Sequence, residues 1–487
     1  MQDITQKDLI FNTMKIPVDS LKKILIVRPD AIGDMVLTLP CIKAIKEKYP
    51  HLHVTVMCSH YNKILLDGFP YVDEYIIDKF TTGEIANAKD YLHYLKEIKS
   101  ANYDIAVHFY SETKEVWLTF FAGIKYQIGD KAKVGLLPVF RKYGAYLKTF
   151  DQTKHVVEYN FQLLRNLNIY LKPETSLSIN CLEKHIQKAK KILSNNGWQG
   201  KKIIGIHMGV GGGNKAISPK KFAEFVNEIS KSGDFEFCIT GYSKKEQENA
   251  EEFLLETKRP IINLVGKTSL EILIGVFSHY SLYAGVDTGP FHIAAALSVP
   301  QLAVFSTRKV KPARWAPWRN RHLIIRESRA CHYFCPHEGC DKTICSDKIS
   351  AEQMAAQALA VLGGEGVIEP KDQFHYWFKL GMQILLLYCD KSKKEVLKYK
   401  AILEGYNIFV CIEPISSKKI YNKLIENDIT IIHNFSEKRK IYLKITSLIV
   451  ALKLFNSPLI INNKQAPGTE DEIIDMYKQA FESMSLF

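Results

Sequence analysis

The stretch 23-KILIVRPDAIGDMVLTLP-40 decides the architecture of this chain. Its apolar run, Ile24 to Val27, is bounded by Lys23 and Arg28. A short continuous run of this kind suits a strand buried on both faces of a parallel sheet. Pro29, Asp30 and Gly33 then make a turn, in which Gly33 supplies a flexible or left-handed backbone position. A helical spacing takes over, with Val36, Leu39, Ile42 and Ile45 on one face and an end near Tyr49 and Pro50. Strand, turn and helix in this order open a βαβ unit.

The same alternation recurs on both sides of the chain's midpoint. His53–Met57, Ile76–Ile77 and Asp104–His108 read as further strands of the first series. A second series begins at Lys202–His207 and continues through Phe235–Thr240, Ser281–Val286 and Pro300–Phe305, with helices from about Pro219 to Ser230, from Ser269 to Ser278 and from His292 to Leu297. Repeated βαβ units imply parallel sheets with helices on both faces. The expected domains are 1–180, 181–365 and, after the Gly/Pro-containing linker 363-GGEGVIEP-370, a smaller α/β module over 371–487. Strands of that module are expected at Gln383–Leu387, Asn407–Cys411, Thr430–His433 and Pro458–Asn462.

The chain has 487 residues, 46% of them hydrophobic and 24% charged, an ordinary globular composition. Its formal net charge of +13 favours acidic partners such as phosphorylated substrates or an anionic membrane face. No basic run interleaved with aromatics marks a single-strand nucleic-acid binder, so no nucleic-acid partner is expected. The N-terminal MQDITQKDLIFNTMK lacks the apolar core of a signal peptide, and no window reaches the ~18 apolar residues of a membrane span. The expectation is a cytoplasmic protein, soluble or peripheral at the inner face of the membrane.

Three loops carry candidate chemistry. In 28-RPDAIGDMVLTLP-40, Asp34 lies where open α/β sheets bind ligands, outside the carboxyl ends of the strands. It can take a proton from a hydroxyl as a general base, or it can cap the helix. In 207-HMGVGGGNK-215, glycines between a strand and a helix let backbone amides approach phosphate, and Lys215 could add a point charge; a plain flexible loop has the same appearance. The run is neither a Walker motif nor G-x-G-x-x-G, which argues against a nicotinamide oxidoreductase. In 285-GVDTGPFHIAAALSVP-300, Asp287, Thr288 and Gly289 form a turn before a helix opening around Pro290. The helix N-terminus and the Thr288 hydroxyl suit a diphosphate, Asp287 suits sugar hydroxyls, and His292 is open to a packing or a binding role.

Residues 22 to 362 resemble the ADP-heptose:lipopolysaccharide heptosyltransferases, inverting glycosyltransferases of the GT-B fold, in which two Rossmann-like domains face a central cleft. The motifs that carry the resemblance are KILIVRPDAIGDMVLTLP, IGIHMGVGGGNKAISPKKFAEF, NLVGKTSLEILIGVFSHYSLYAGVDTGPFHIAAALSVP and VFSTRKVKPARWAPW. The resemblance implies Asp34 as catalytic base and Lys215, Asp287, Thr288, Gly289, Pro290 and His292 as donor-binding residues. It implies ADP-heptose as donor, a lipid-linked core oligosaccharide as acceptor, an acceptor-binding first domain and a nucleotide-sugar-binding second domain. No cofactor is required, and no D-x-D element stands near the expected diphosphate site. The chain departs from the family where Ile217 replaces a Trp that often follows the loop lysine, and where the Gly-rich loop lacks hydroxyl residues. A related transferase using another sugar nucleotide, or a silent sugar-nucleotide or glycan-binding protein, are the alternatives.

Two features lie apart. Cys331, Cys335, Cys340 and Cys345 are evenly spread, a poorer match to zinc than two tight pairs; a structural zinc site and free or paired thiols both stay open. The third module carries none of the three motifs. Its Lys438, Lys440, Lys444 and Lys453 offer either a membrane-facing basic surface or a solvated helix face.

Overall fold

The structure is a computed structural model. It describes residues 16–110, 112–130, 144–147, 154–209, 217–305, 312–326 and 349–367, and four further strands at 383–388, 409–414, 429–434 and 459–462. Lys215 and the four clustered cysteines lie outside the described residues.

The first sheet holds β1 (Lys23–Arg28), β2 (His53–Cys58), β3 (Glu74–Ile77), β4 (Ile105–His108), β5 (Tyr126–Asp130) and β6 (Gly144–Leu147), in the order β3-β2-β1-β4-β5-β6. The second holds β7 (Ile203–His207), β8 (Glu236–Ile239), β9 (Ile261–Asn263), β10 (Tyr280–Val286), β11 (Gln301–Phe305) and β12 (His322–Arg326), in the order β12-β11-β10-β7-β8-β9. Every pairing in both is parallel. Counted within its own sheet, each has the order 3-2-1-4-5-6, the dinucleotide-fold topology. The strand order reverses between β1 and β4 in one sheet and between β7 and β10 in the other, the position at which open α/β sheets bind ligands. The third module's β13 (Gln383–Tyr388), β14 (Phe409–Pro414), β15 (Ile429–Asn434) and β16 (Leu459–Asn462) form a separate parallel sheet, β14-β13-β15-β16.

The apolar run of β1 has the cause expected of it. Leu25 and Val27 pack with Tyr94, Ile98 and Leu118 on one face, while Ile24 and Ile26 join the larger core on the other. The helix after β1 is not continuous. It breaks into Ile32–Val36 and Leu39–Lys48 around Leu37 and Thr38. Pro40 has no amide to give the Val36 carbonyl, and its ring crowds that carbonyl. The break is held by hydrogen bonds: Thr38 Oγ1 donates to the Asp34 carbonyl at 2.8 Å, and Asn160 Nδ2 to the Leu37 carbonyl at 3.2 Å.

Segments of the two Rossmann-like units clasp each other. His155 caps helix Val156–Leu163 by accepting the Val157 amide at Nδ1, so its Nε2–H donates to the Ala316 carbonyl at 2.9 Å. Its ring lies 4.7 Å from that of Trp318, whose Nε1 donates to the Thr175 carbonyl.

Candidate active site

Arg28 ends a strand in which it is preceded by the apolar run Ile24 to Val27, and its guanidinium is buried. A buried cation is stable only when paired and hydrogen-bonded. Arg28 Nη2 donates to Asp34 Oδ1 at 2.6 Å, Nε stands 3.1 Å from Asp30 Oδ1, and Nη1 donates to the Phe109 carbonyl at 2.9 Å. The turn is fixed from the other side by Asn62, whose Nδ2 donates to the carbonyls of Arg28 and Asp30.

This arrangement removes the capping role from the two left open for Asp34. The N-cap position belongs to Ala31, without a side-chain bond, and Asp34 sits inside the first turn. Asp34 does not cap its helix. One oxygen is tied to Arg28, and the carboxylate keeps partial exposure, with 23% of the side chain accessible. Arg28 itself was not among the sequence candidates. The available signal was a charge at the end of an apolar strand, which requires a partner.

At the second turn Asp287 is buried and meets His292 Nε2 through Oδ1 at 3.2 Å. His292 Nδ1 is buried without a hydrogen-bond partner among the described residues. Helix Gly289–Ala296 follows an N-cap at Thr288 that makes no side-chain cap bond; the Thr288 hydroxyl donates instead to the Val286 carbonyl. The first amides of this helix therefore lack the usual side-chain acceptor, which suits an external anion. Pro290 costs nothing there, since it stands within the first turn. Gly209, at φ +65°, opens the Gly-rich loop; a Cβ on it would lie 2.7 Å from Val286 Cγ2 and 3.1 Å from Thr288 Cγ2. Glycine is thus needed at 209 itself, where the backbone passes this close to the turn. Ile217 is buried in the core of the second unit.

A further polar group stands at the same edge of the second sheet. His207, the last residue of β7, meets Thr240 Oγ1 at 3.1 Å and Glu246 Oε1 at 3.3 Å. Burial pushes the Glu246 carboxyl up, but His207 and the amides of Tyr242 and Ser243 outweigh it and hold it at about 2.

The two turns touch. A Cβ on Gly33 would lie 2.7 Å from His292 Cδ2 and 3.4 Å from Gly289 Cα, and one on Gly289 would lie 3.1 Å from Ile32 Cβ. Gly33 is helical and has no positive φ, where a flexible or left-handed position was expected. It is required for close approach instead. The first turns of helices Ile32–Val36 and Gly289–Ala296 thus meet glycine to glycine, with Asp34 on one and His292 on the other. Such a site can hold an anion on the second helix and offer a carboxylate to a group from the first unit. Among the described residues there is no cluster of His, Cys, Asp or Glu able to hold a metal ion, and no helix long and apolar enough to cross a membrane.

Comparison with known proteins gives a consistent picture. The family model of glycosyltransferase family 9 (heptosyltransferase) matches residues 92–342, which include the Asp287–His292 turn and begin beyond the Arg28–Asp34 turn. The chain is 27% identical over 344 residues to lipooligosaccharide heptosyltransferase 2 of Campylobacter jejuni, covering 68% of this chain and 98% of that one. It is 26% identical over 297 residues to lipopolysaccharide heptosyltransferase 3 of Escherichia coli, covering 59% and 82%. Among solved structures, the family 9 glycosyl transferase of Veillonella parvula aligns with a TM-score of 0.60 at 20% identity, over 73% of this chain and all of that one. ADP-heptose lps heptosyltransferase II of E. coli aligns at 0.55 and 20% identity, over 70% and 99%. These likenesses establish the GT-B fold of two parallel-sheet α/β units.

Proposed function

The chain belongs to glycosyltransferase family 9, the heptosyltransferase family, and on that premise we propose that it transfers heptose from ADP-heptose to a lipopolysaccharide or lipooligosaccharide core acceptor, with inversion at the anomeric carbon. The observation that carries this reading is the meeting of the two helix turns, which sets a carboxylate held by Arg28 beside a helix N-terminus without a side-chain cap. The names of the relatives from C. jejuni and E. coli support the sugar and the acceptor class.

In this reading an acceptor hydroxyl, bound on the first unit, attacks the anomeric carbon. Its proton passes to the free oxygen of Asp34. The bond from the anomeric carbon to the diphosphate breaks, and the nucleoside diphosphate leaves with the electron pair. The amides opening helix Gly289–Ala296 and the Lys215 ammonium stabilise its charge, and no metal is needed for this. Asp287 and His292 fix the turn that receives the donor. The acceptor's lipid keeps the enzyme at the inner membrane face, where the net charge of +13 favours anionic headgroups.

The test is transfer to a heptose-deficient lipooligosaccharide from ADP-heptose and from a panel of UDP- and GDP-sugars, each with and without EDTA. The expected result is product from ADP-heptose alone, undiminished by chelator. Transfer only from another sugar nucleotide would overturn the donor, and strict dependence on Mg²⁺ would overturn the leaving-group chemistry.

A further inference from the structure

The motif VFSTRKVKPARWAPW ends in 312-PARWAPW-318, which supplies no group to either helix turn of the site. These residues lie between β11 and β12 of the second unit, yet their polar partners are in the first. His155 Nε2 donates to the Ala316 carbonyl at 2.9 Å, and Trp318 Nε1 donates to the Thr175 carbonyl at 3.0 Å. Pro317 locks φ between these two anchors and restricts Ala316 before it. On the other side of Ala316, the ring of Trp315 stands 6.2 Å from that of His292 in the donor turn. His155 also opens helix Val156–Leu163, and that helix reaches the Asp34 turn. Asn160 Nδ2 donates to the Leu37 carbonyl at 3.2 Å and to Thr38 Oγ1 at 3.3 Å, and Thr38 Oγ1 donates to the Asp34 carbonyl at 2.8 Å. Tyr49 Oη pins the next helix to the same region through the Leu167 carbonyl at 2.7 Å.

Resting on the reading of Asp34 as the base, we infer that His155 and Asn160 are positioning residues: with 312–318 they form a strut that sets the separation between Asp34 and the donor turn. The line runs from the Asp34 carbonyl through Thr38, Asn160, helix Val156–Leu163, His155 and Ala316 to Trp315 against His292. The glycine contact between the two turns limits how closely they approach, but it does little to stop them parting, since each such contact is weak. The strut resists parting. Thr38, Asn160, His155, Ala316 and His292 are all buried, so a broken link would leave a donor or a carbonyl without a partner away from water. Neither His155 nor Asn160 stands at a reacting atom. Their effect passes through the placement of Asp34, to which the rate is steeply sensitive.

The experiment uses the full chain. Rates of transfer from ADP-heptose to de-acylated, heptose-deficient lipooligosaccharide give kcat and KM for wild type, His155→Leu, His155→Gln, Asn160→Leu and the double leucine variant, with ADP titration and melting alongside. Each leucine variant is expected to lose about 10- to 10²-fold in kcat, with KM and ADP affinity within about 2-fold of wild type. His155→Gln keeps an N–H for the Ala316 carbonyl and should recover most of kcat. The double variant should lose no more than the worse single one, because one broken link frees the whole strut. If a leucine variant does not fold, Trp318→Phe carries the test with the same loss confined to kcat, since it keeps a ring beside His155 and gives up the bond to Thr175. Folded variants with wild-type kcat would overturn the strut and leave the function standing. So would ADP affinity that falls in step with kcat, or losses that multiply in the double variant. No transfer by wild type would overturn the function and the strut together.

Discussion

Replacing Gly33 by alanine tests whether the two helix turns must touch. The new methyl would lie 2.7 Å from His292 Cδ2, against an ordinary carbon–carbon contact of about 3.5–4.0 Å, an overlap of about 1 Å. His292 has little room to yield. Its Nε2 is tied to Asp287, and its ring stands 5.3 Å from that of Phe291 and 6.2 Å from that of Trp315. Strain absorbed in place costs about 1–3 kcal/mol. If the helices part instead, Asp34 moves about 1 Å from the donor turn, and a displacement of that size costs about 10²-fold in rate. Alanine is the better helix former by about 1 kcal/mol, so lost turnover could not come from a weakened helix. Steady-state transfer from ADP-heptose, with thermal melting alongside, reads both effects. Expected is a fall of about 10²-fold in kcat/KM with a moderate loss of stability. Wild-type turnover together with wild-type melting would refute the close approach.

Arg28→Lys should retain part of the activity and Arg28→Met very little, because lysine keeps the charge but cannot reach Asp34, Asp30 and the Phe109 carbonyl at once. Arg28→Met should also melt earlier, since Asp30 and Asp34 lose their cation; equal activity in the two variants would dismiss the geometric argument. Stability should fall in mild acid. Burial holds His155 at about 3 and His108 and His322 at about 4, all below the unfolded value of about 6.5. The unfolded chain then binds more protons below pH 6.5, so stability is complete above that pH and is lost toward pH 4, approaching about 1.4 kcal/mol per unit for each histidine. Urea unfolding at pH 7.5 and 5.5 measures this, and His155→Gln should reduce the difference; a stability independent of pH across that range would contradict it.

How much was legible in the sequence depended on what each signal needs. β1, β2 and β4 were readable because strands buried on both faces are short apolar runs. Ile261–Asn263 was missed because three residues carry no period, and Tyr126–Asp130 because Gln127, Gly129 and Asp130 interrupt the apolar run. The single helix expected after β1 is two, and the signal, Pro40, was present in the sequence. At the site, Asp34 and the Asp287–His292 turn stood out through their motif. Arg28 did not, since no local pattern says which carboxylate a buried charge will meet. Gly33 was noticed for the wrong physical reason. Its need is a neighbour more than 250 residues away, His292, which only tertiary structure brings close.

The central claim is that Asp34 receives the acceptor proton while the turn at Asp287–His292 binds the donor. The most direct measurement is single-turnover transfer from ADP-heptose by Asp34→Asn, together with ADP titration of the same protein. Asparagine keeps an oxygen for Arg28 but removes the base. Turnover should drop about 10²–10⁴-fold, with ADP affinity and melting close to wild type, because Asp34 caps nothing. Turnover within a few-fold of wild type would remove Asp34 from the reaction and contradict the account.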